Sequence, residues 1–382
     1  MRSAVIVEAK RTPIGRAIKG STAATRPETM GALVIEAIKP LLKDWSGLED
    51  VIVGCAMPEG EQGMNLARMV AFRAGLPFTS SATTVNRFCG SSQESVLMAA
   101  RAILAGAGDV FLAGGVESMS KVPMGGFNPS LDPWLSEHYP QAYCSMGITA
   151  ETLAKEYGIT RREQDEFAYN SHQKGAAAWS AGKYTKETVP YQTKNLEGKE
   201  VTVDRDECVR GDTSIDKLGE LKAVFLKDGS VTAGNSSPLT DGAAFMLVME
   251  EDAAKAAGLK PRARILGGAV AGVEPDRMGI GPVPATRKIL GRLGLTMDQL
   301  DVVELNEAFA AQSIAVIREG GFDPSKVNAW GGAIAIGHPL GCSGARILTT
   351  LLSRLEEGKG RYGLATMCIG GGQGIATVIE RI

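Results

Sequence analysis

The chain reads as short apolar runs alternating with stretches whose apolar positions recur at helical spacing. At the start, Ala4-Val5-Ile6-Val7 forms a β-rich run that gives way to a loop at Thr12-Pro13. Val51-Ile52-Val53, Val110-Phe111-Leu112-Ala113 and Leu364-Ala365-Thr366-Met367 are runs of the same kind, and Val96 through Leu104 carries a helical pattern. This alternation predicts mostly parallel sheets covered by helices.

The pattern occurs twice. Slid against itself by roughly 250 positions, the chain matches Leu48-Glu49-Asp50-Val51 to Gln299-Leu300-Asp301-Val302. The same shift matches Cys89-Gly90-Ser91 and its following helix to Cys342-Ser343-Gly344 and Ala345 through Leu348. Each helix then leads to a strand ending in glycines, at Gly114-Gly115 and at Gly370-Gly371. Two such α/β units are expected to pack about a pseudo-twofold. Between them, from about residue 120 to 240, prolines (Pro123, Pro129, Pro133, Pro140, Pro190) and polar loops break the pattern and suggest an inserted lobe, a lid or substrate-binding loop domain. One clear helix is predicted there, Arg161 to Ala181, started by a capping box of Thr160 and Glu163. His172, among polar neighbours on that helix, reads as a surface residue.

Composition narrows the classes. At 382 residues the chain exceeds one hydrophobic core, so two or three lobes are expected. Hydrophobic residues at 44%, charged residues at 22% and a net charge of −2 leave no field for gripping nucleic acid. No apolar stretch approaches the ~18 residues of a membrane span. Neither a signal peptide nor a terminal peroxisomal tripeptide is evident, which points to the cytoplasm. Six cysteines are too few for a disulfide framework and suit a reducing compartment. With only His138, His172 and His338, and no CxxC or CxxxH spacing, no metal site is expected.

Candidate chemistry lies where the runs end. Cys89 stands between a β-like run, Thr83-Thr84-Val85, and a helix start, where free N–H groups and the helix dipole lower a thiol pKa. The other reading is a small buried hydrophobe. His338, in Gly337-His338-Pro339 at a predicted strand-to-helix junction, is the leading general base, and a pseudo-twofold would bring it toward Cys89. Cys368 precedes Ile369-Gly370-Gly371-Gly372, glycines that either free N–H groups for an oxyanion or make a tight turn. Asn306, entering an apolar run, either hydrogen-bonds in a site or caps the next helix. Cys55, Cys144 and Cys208 read as structural. Cys342 holds the repeat position of Cys89, in the half that already has the histidine.

Asn306-Glu307-Ala308-Phe309-Ala310, Gly331-Gly332-Ala333 through Gly337-His338-Pro339, Ala113-Gly114-Gly115-Val116-Glu117-Ser118-Met119-Ser120 and Cys368-Ile369-Gly370-Gly371-Gly372 together resemble the thiolase family, over a span from Val5 to the C-terminus. The resemblance implies a five-layer fold of two duplicated α/β halves with an inserted loop domain. Residues 1–121 with 241–261 would form the first half, 122–240 the loop domain and 262–382 the second half. It also implies roles: Cys89 as acyl carrier, His338 as its base, Cys368 as the acid that protonates the departing acetyl-CoA carbanion. Asn306 would hold a water that joins His338 around the enolate, and the N–H groups of Cys89 and Gly370 would receive the tetrahedral oxyanion. Ser237 and Met146 would contact the pantetheine arm and Arg210 the nucleotide end of coenzyme A, a substrate and not a resident cofactor. Ser236 and Ser237 would equally serve as helix caps.

The implied activity is thiolytic cleavage of 3-ketoacyl-CoA in fatty-acid β-oxidation, by a homodimer or homotetramer, with a hydratase/dehydrogenase subunit as a further partner. Two departures stand out. Family members specialised for acetoacetyl-CoA carry His-Met-Gly where this chain has Ser145-Met146-Gly147, which favours the degradative subtype over a biosynthetic one. Gly90-Ser91-Ser92-Gln93-Glu94 departs from the usual pattern after the nucleophile. An inward Glu94 would raise the Cys89 pKa, and this segment is what a non-catalytic CoA-binding relative would explain. A decarboxylating condensing enzyme of the same fold group would lack the acidic Cys368.

Overall fold

The computed structural model describes residues 2–382. Its strands are β1 (Ala4–Arg11), β2 (Gly15–Arg16), β3 (Leu48–Gly54), β4 (Ser81–Val85) and β5 (Val110–Ser118). β6 (Tyr191–Lys194) and β7 (Glu200–Val203) follow, then β8 (Thr240–Glu250), β9 (Ala263–Gly272), β10 (Val302–Leu305), β11 (Tyr362–Ile369) and β12 (Gln373–Arg381). The main sheet runs β10-β11-β12-β9-β1-β8-β5-β3-β4, with β2 on β8 and a separate β6–β7 hairpin.

This corrects the expectation of mostly parallel sheets. Only β3–β4, β3–β5 and β10–β11 are parallel, while β1, β8, β9 and β12 pair antiparallel. The apolar runs looked parallel because both faces of the sheet are covered. All eleven residues of β8 are buried. The two halves also share one ladder, joined where Val5 and Ile6 of β1 pair with Arg264 and Ala263 of β9.

Three apolar clusters hold five layers together. Helices Pro27–Ile38 and Leu66–Arg73 cover one face of β1, β3, β5 and β8 through Met30, Val34, Ile35, Leu66 and Val70. Helices Pro282–Leu293 and Ala310–Gly320 cover the far face of β10 to β12 through Val283, Ile289, Leu290 and Val316. Between the two halves of this sheet lie Ser91–Leu104 and Ser343–Gly358, which bury Val96, Leu97, Ile103, Ile347, Leu351 and Leu355 against strands of both halves. These central helices are the duplicated pair seen in the sequence.

The region after β5 holds more than one helix. Pro133–His138, Met146–Glu156 and Ile215–Gly219 accompany Arg161–Ser180, whose capping box of Thr160 and Glu163 is present. Two of the shorter helices escaped sequence reading because five or six residues are too few to show a helical period.

Candidate active site

Chain segments converge at the carboxyl ends of the parallel strands β4, β10 and β11, where open α/β sheets present their ligands. After β4, the Ser91 hydroxyl accepts from the Arg87 N–H at 2.9 Å and donates to the Phe88 carbonyl at 2.6 Å. Asn86 accepts from the Phe88 N–H at 2.8 Å and donates to the Ala56 carbonyl at 3.0 Å. This clamp holds Phe88 in a left-handed conformation, φ +44°, which side chains with a Cβ adopt only when their surroundings enforce it. The turn delivers Cys89 to the start of a central helix.

Cys89 is buried, with the N–H groups of Gly370 and of Cys89 itself near its sulfur. Those contacts favour the thiolate, but burial outweighs them and lifts the pKa to about 11. The lowered pKa expected from the helix start is therefore corrected: the resting group is a thiol. Cys368, at the end of β11, is also buried, and its pKa is raised by desolvation and then by the charge of Cys89. Two thiols and the Gly370 N–H thus share one place. The glycines after Cys368 also turn the β11–β12 hairpin, with Gly371 and Gly372 at φ +78° and +82°.

His338 and Asn306 form a second pair, with no hydrogen bond to Cys89 among the described residues. Asn306 follows β10, with its N–H on the Thr366 carbonyl at 3.0 Å, and it caps no helix, since the next one begins at Ala310. Its Nδ2 lies 3.4 Å from His338 Nε2, and its Oδ1 is buried without a partner among the described residues. The Ser343 hydroxyl donates to the Pro339 carbonyl at 3.0 Å, so it accepts from His338 Nδ1 at 2.6 Å. That assigns the imidazole proton to Nδ1 and leaves Nε2 able to take another. Burial, then Arg346, lowers the His338 pKa to about 3. His338 sits between the one-turn helix Ala333–Ile336 and a 3₁₀ turn at Leu340–Cys342, not at the strand-to-helix junction expected.

A cleft of about 500 Å³ opens beside this cluster, lined in part by Arg16, His172, Arg210, Phe225, Ser237 and Pro238. The Pro238 carbonyl accepts from the His338 N–H at 3.3 Å, so one wall of the cleft reaches the His338 backbone. Ser237 donates to the Ala308 carbonyl at 3.1 Å; β8 follows it, so neither it nor Ser236 caps a helix. Met146 lies at the cluster, its Sδ 3.6 Å from where a Cβ on Gly370 would stand.

The sequence of residues 4–252 matches the family description "Thiolase, N-terminal domain", and that of 259–381 matches "Thiolase, C-terminal domain". This chain belongs to the thiolase family. A 3-ketoacyl-CoA thiolase of Shewanella loihica is 50% identical over the full length of both chains. One from Bacillus subtilis is 46% identical, again over the whole of both. The crystal structure of the Bacillus anthracis acetyl-CoA acetyltransferase superposes with a TM-score of 0.92 at 40% identity, covering 100% of this chain and 99% of that one.

Two residues differ from the sequence reading of this thiolase. His172 is buried, not at the surface; its Nδ1 accepts from the Arg210 N–H at 3.2 Å, and burial lowers its pKa to about 4. Its polar neighbours along the chain hid this, because the face it occupies packs toward the cleft. Cys208, read as structural, also lines the cleft. Glu94 turns away from Cys89 and is held by Arg101 at 2.6 Å and Arg87 at 3.4 Å.

Proposed function

We propose that this chain cleaves 3-ketoacyl-CoA with coenzyme A, giving acetyl-CoA and an acyl-CoA two carbons shorter. The observation that carries the reading is the grouping of Cys89, Cys368 and Gly370, with a neutral His338 paired to Asn306 at the end of the adjoining strand β10. The Cys89 thiol gives its proton to His338 Nε2, and the thiolate attacks the C3 carbonyl. The oxyanion is received by the N–H groups of Cys89 and Gly370. Collapse breaks the C2–C3 bond, and the electron pair goes to C2 as the acetyl-CoA enolate, stabilised by His338 and an Asn306-bound water. Cys368 protonates C2. Coenzyme A then gives its thiol proton to Cys368 and attacks the Cys89 thioester, and Cys89 leaves to recover its proton from His338.

Ser237, Arg210 and Met146 are assigned to coenzyme A, with Met146 nearest the thiols. Ser145, where acetoacetyl-CoA specialists have histidine, favours the degradative direction and longer chains, in line with the names of the full-length relatives. The acetyl-CoA acetyltransferase likeness supports acetoacetyl-CoA synthesis as a second reading. Rates of thiolysis across 3-ketoacyl-CoA chain lengths separate the two. Turnover at six carbons or more supports the degradative assignment, and turnover of acetoacetyl-CoA alone refutes it.

The non-catalytic reading loses its motive, because the Gly90–Glu94 departure has a structural task. Ser92 Oγ accepts from the Ala345 N–H at 2.9 Å, and Gln93 donates to the Ala365 carbonyl at 3.0 Å, tying the two halves together. We assign the enzyme to the cytoplasm and to a homodimer or homotetramer. The support for assembly is the open edge of β4 beside exposed Phe72 and Phe78. Sedimentation at the mass of a single 40.2 kDa chain would contradict it.

A further inference from the structure

Glu117, near the end of β5, is fully buried, and the mechanism above gives it no task. Donors alone surround it. Oε2 accepts from the N–H groups of Ala56 and Gly341, both at 2.7 Å. Oε1 accepts from Gln62 Nε2 at 2.8 Å, the Met57 N–H at 3.3 Å and the Cys55 thiol at 3.6 Å. A protonated carboxyl would direct its O–H at another donor, so this shell holds an anion even though burial pushes the carboxyl pKa upward.

The donors come from both halves of the molecule. The Ala56 carbonyl anchors Asn86 in the Cys89 turn, and Gly341 lies three residues beyond His338. Backbone meets backbone here. A Cβ on Gly341 would stand 2.6 Å from Cys55 Cα, and one on Gly115 would stand 2.2 Å from the Gly341 carbonyl oxygen. Nothing larger than glycine fits, so the carboxylate sets the register of the two loops.

We propose that Glu117 is a positioning residue for the acyl transfer: its carboxylate fixes the His338 loop of the second half against the Cys89 turn of the first. The inference rests on the reading of Cys89 as acyl carrier and His338 as its base. The same carboxylate bears electrostatically on three thiols, Cys55, Cys89 and Cys342. Cys368 is the other titratable group facing Cys89, and Arg346 is the charge facing His338.

The test is Glu117→Gln, which keeps the shape but removes the charge and replaces one acceptor oxygen with an NH2 donor that faces other donors. Thiolysis kcat is expected to fall roughly 100-fold, since a small misplacement of reacting groups costs that much. KM for coenzyme A should stay nearly constant, because the cleft is untouched. The pH profile of Cys89 alkylation by iodoacetamide in the free enzyme should shift to lower pH, since a neighbouring negative charge is gone. A folded variant with wild-type kcat, or one whose alkylation profile is unmoved, overturns the proposal.

Should Glu117→Gln fail to fold, Gln62→Leu removes one donor to Oε1 and is expected to lower kcat with little change in KM; an unchanged kcat overturns the proposal there too. Wild-type enzyme that resists labelling at Cys89 would refute the acyl-carrier reading itself. Labelled wild type with an unaffected variant refutes the role of Glu117 alone.

Discussion

Cys89 and His338 both rest neutral, because burial moves their pKa values in opposite directions, to about 11 and about 3. Between those values the protonation state that starts the reaction does not change. The pH profile of kcat/KM for the free enzyme is therefore expected to be flat from about pH 5 to 9, without the inflection near 6.5 of an ordinary histidine. A rise centred near 6.5 that vanished in His338→Asn would contradict this. Replacing His338 with alanine should lower kcat by about 10² to 10⁴, the usual contribution of a general base. The sequence made these two residues visible through their neighbours, a helix start for one and Gly/Pro-rich chain for the other. It could not show their protonation, which depends on desolvation by residues distant along the chain. His172 was missed for the same reason.

At the scale of elements, the close crossing of the two central helices explains the glycine at 344, and the packing of strand side chains the one at 90. A Cβ on Gly344 would stand 2.3 Å from the Gln93 backbone nitrogen. A Cβ on Gly90 would stand 2.6 Å from Ile369 Cδ1, a side-chain terminus that has some room to turn. Gly344→Ala is therefore expected to lose more stability than Gly90→Ala, with the milder change costing about 1 to 3 kcal/mol by overpacking. Urea midpoints of the two variants check the ranking, and equal midpoints would contradict it. The duplication and the capping box of Arg161–Ser180 were legible because they rest on repeats and local spacing. The antiparallel pairing was not, since strands buried on both faces show the same unbroken apolar runs whichever way their neighbours point.

Over the whole molecule, burial of His172 and His338 couples folding to pH. Both have folded-state pKa values depressed below the unfolded value near 6.5, to about 4 and about 3. The unfolded chain therefore binds more protons as pH falls, and stability present above about pH 6.5 is progressively lost below it. Each histidine contributes up to about 1.4 kcal/mol per pH unit in that window. The urea midpoint should drop between pH 7 and pH 5, and the drop should shrink in His172→Gln; an equal drop in wild type and variant would contradict the account. The sequence foretold the two halves, though not that they share one sheet, because the β1–β9 pairing is a contact over some 250 residues that no local pattern encodes.

The central claim is that Cys89 carries the acyl group between two thiol acceptors. It is tested most directly by mixing enzyme with a 3-ketoacyl-CoA in the absence of free coenzyme A, quenching with acid and locating the acyl group by peptide mass spectrometry. The account predicts an acyl group shortened by two carbons on Cys89, discharged on adding coenzyme A. An acyl group on Cys368, or acetyl-CoA release with no acylated cysteine, would contradict it.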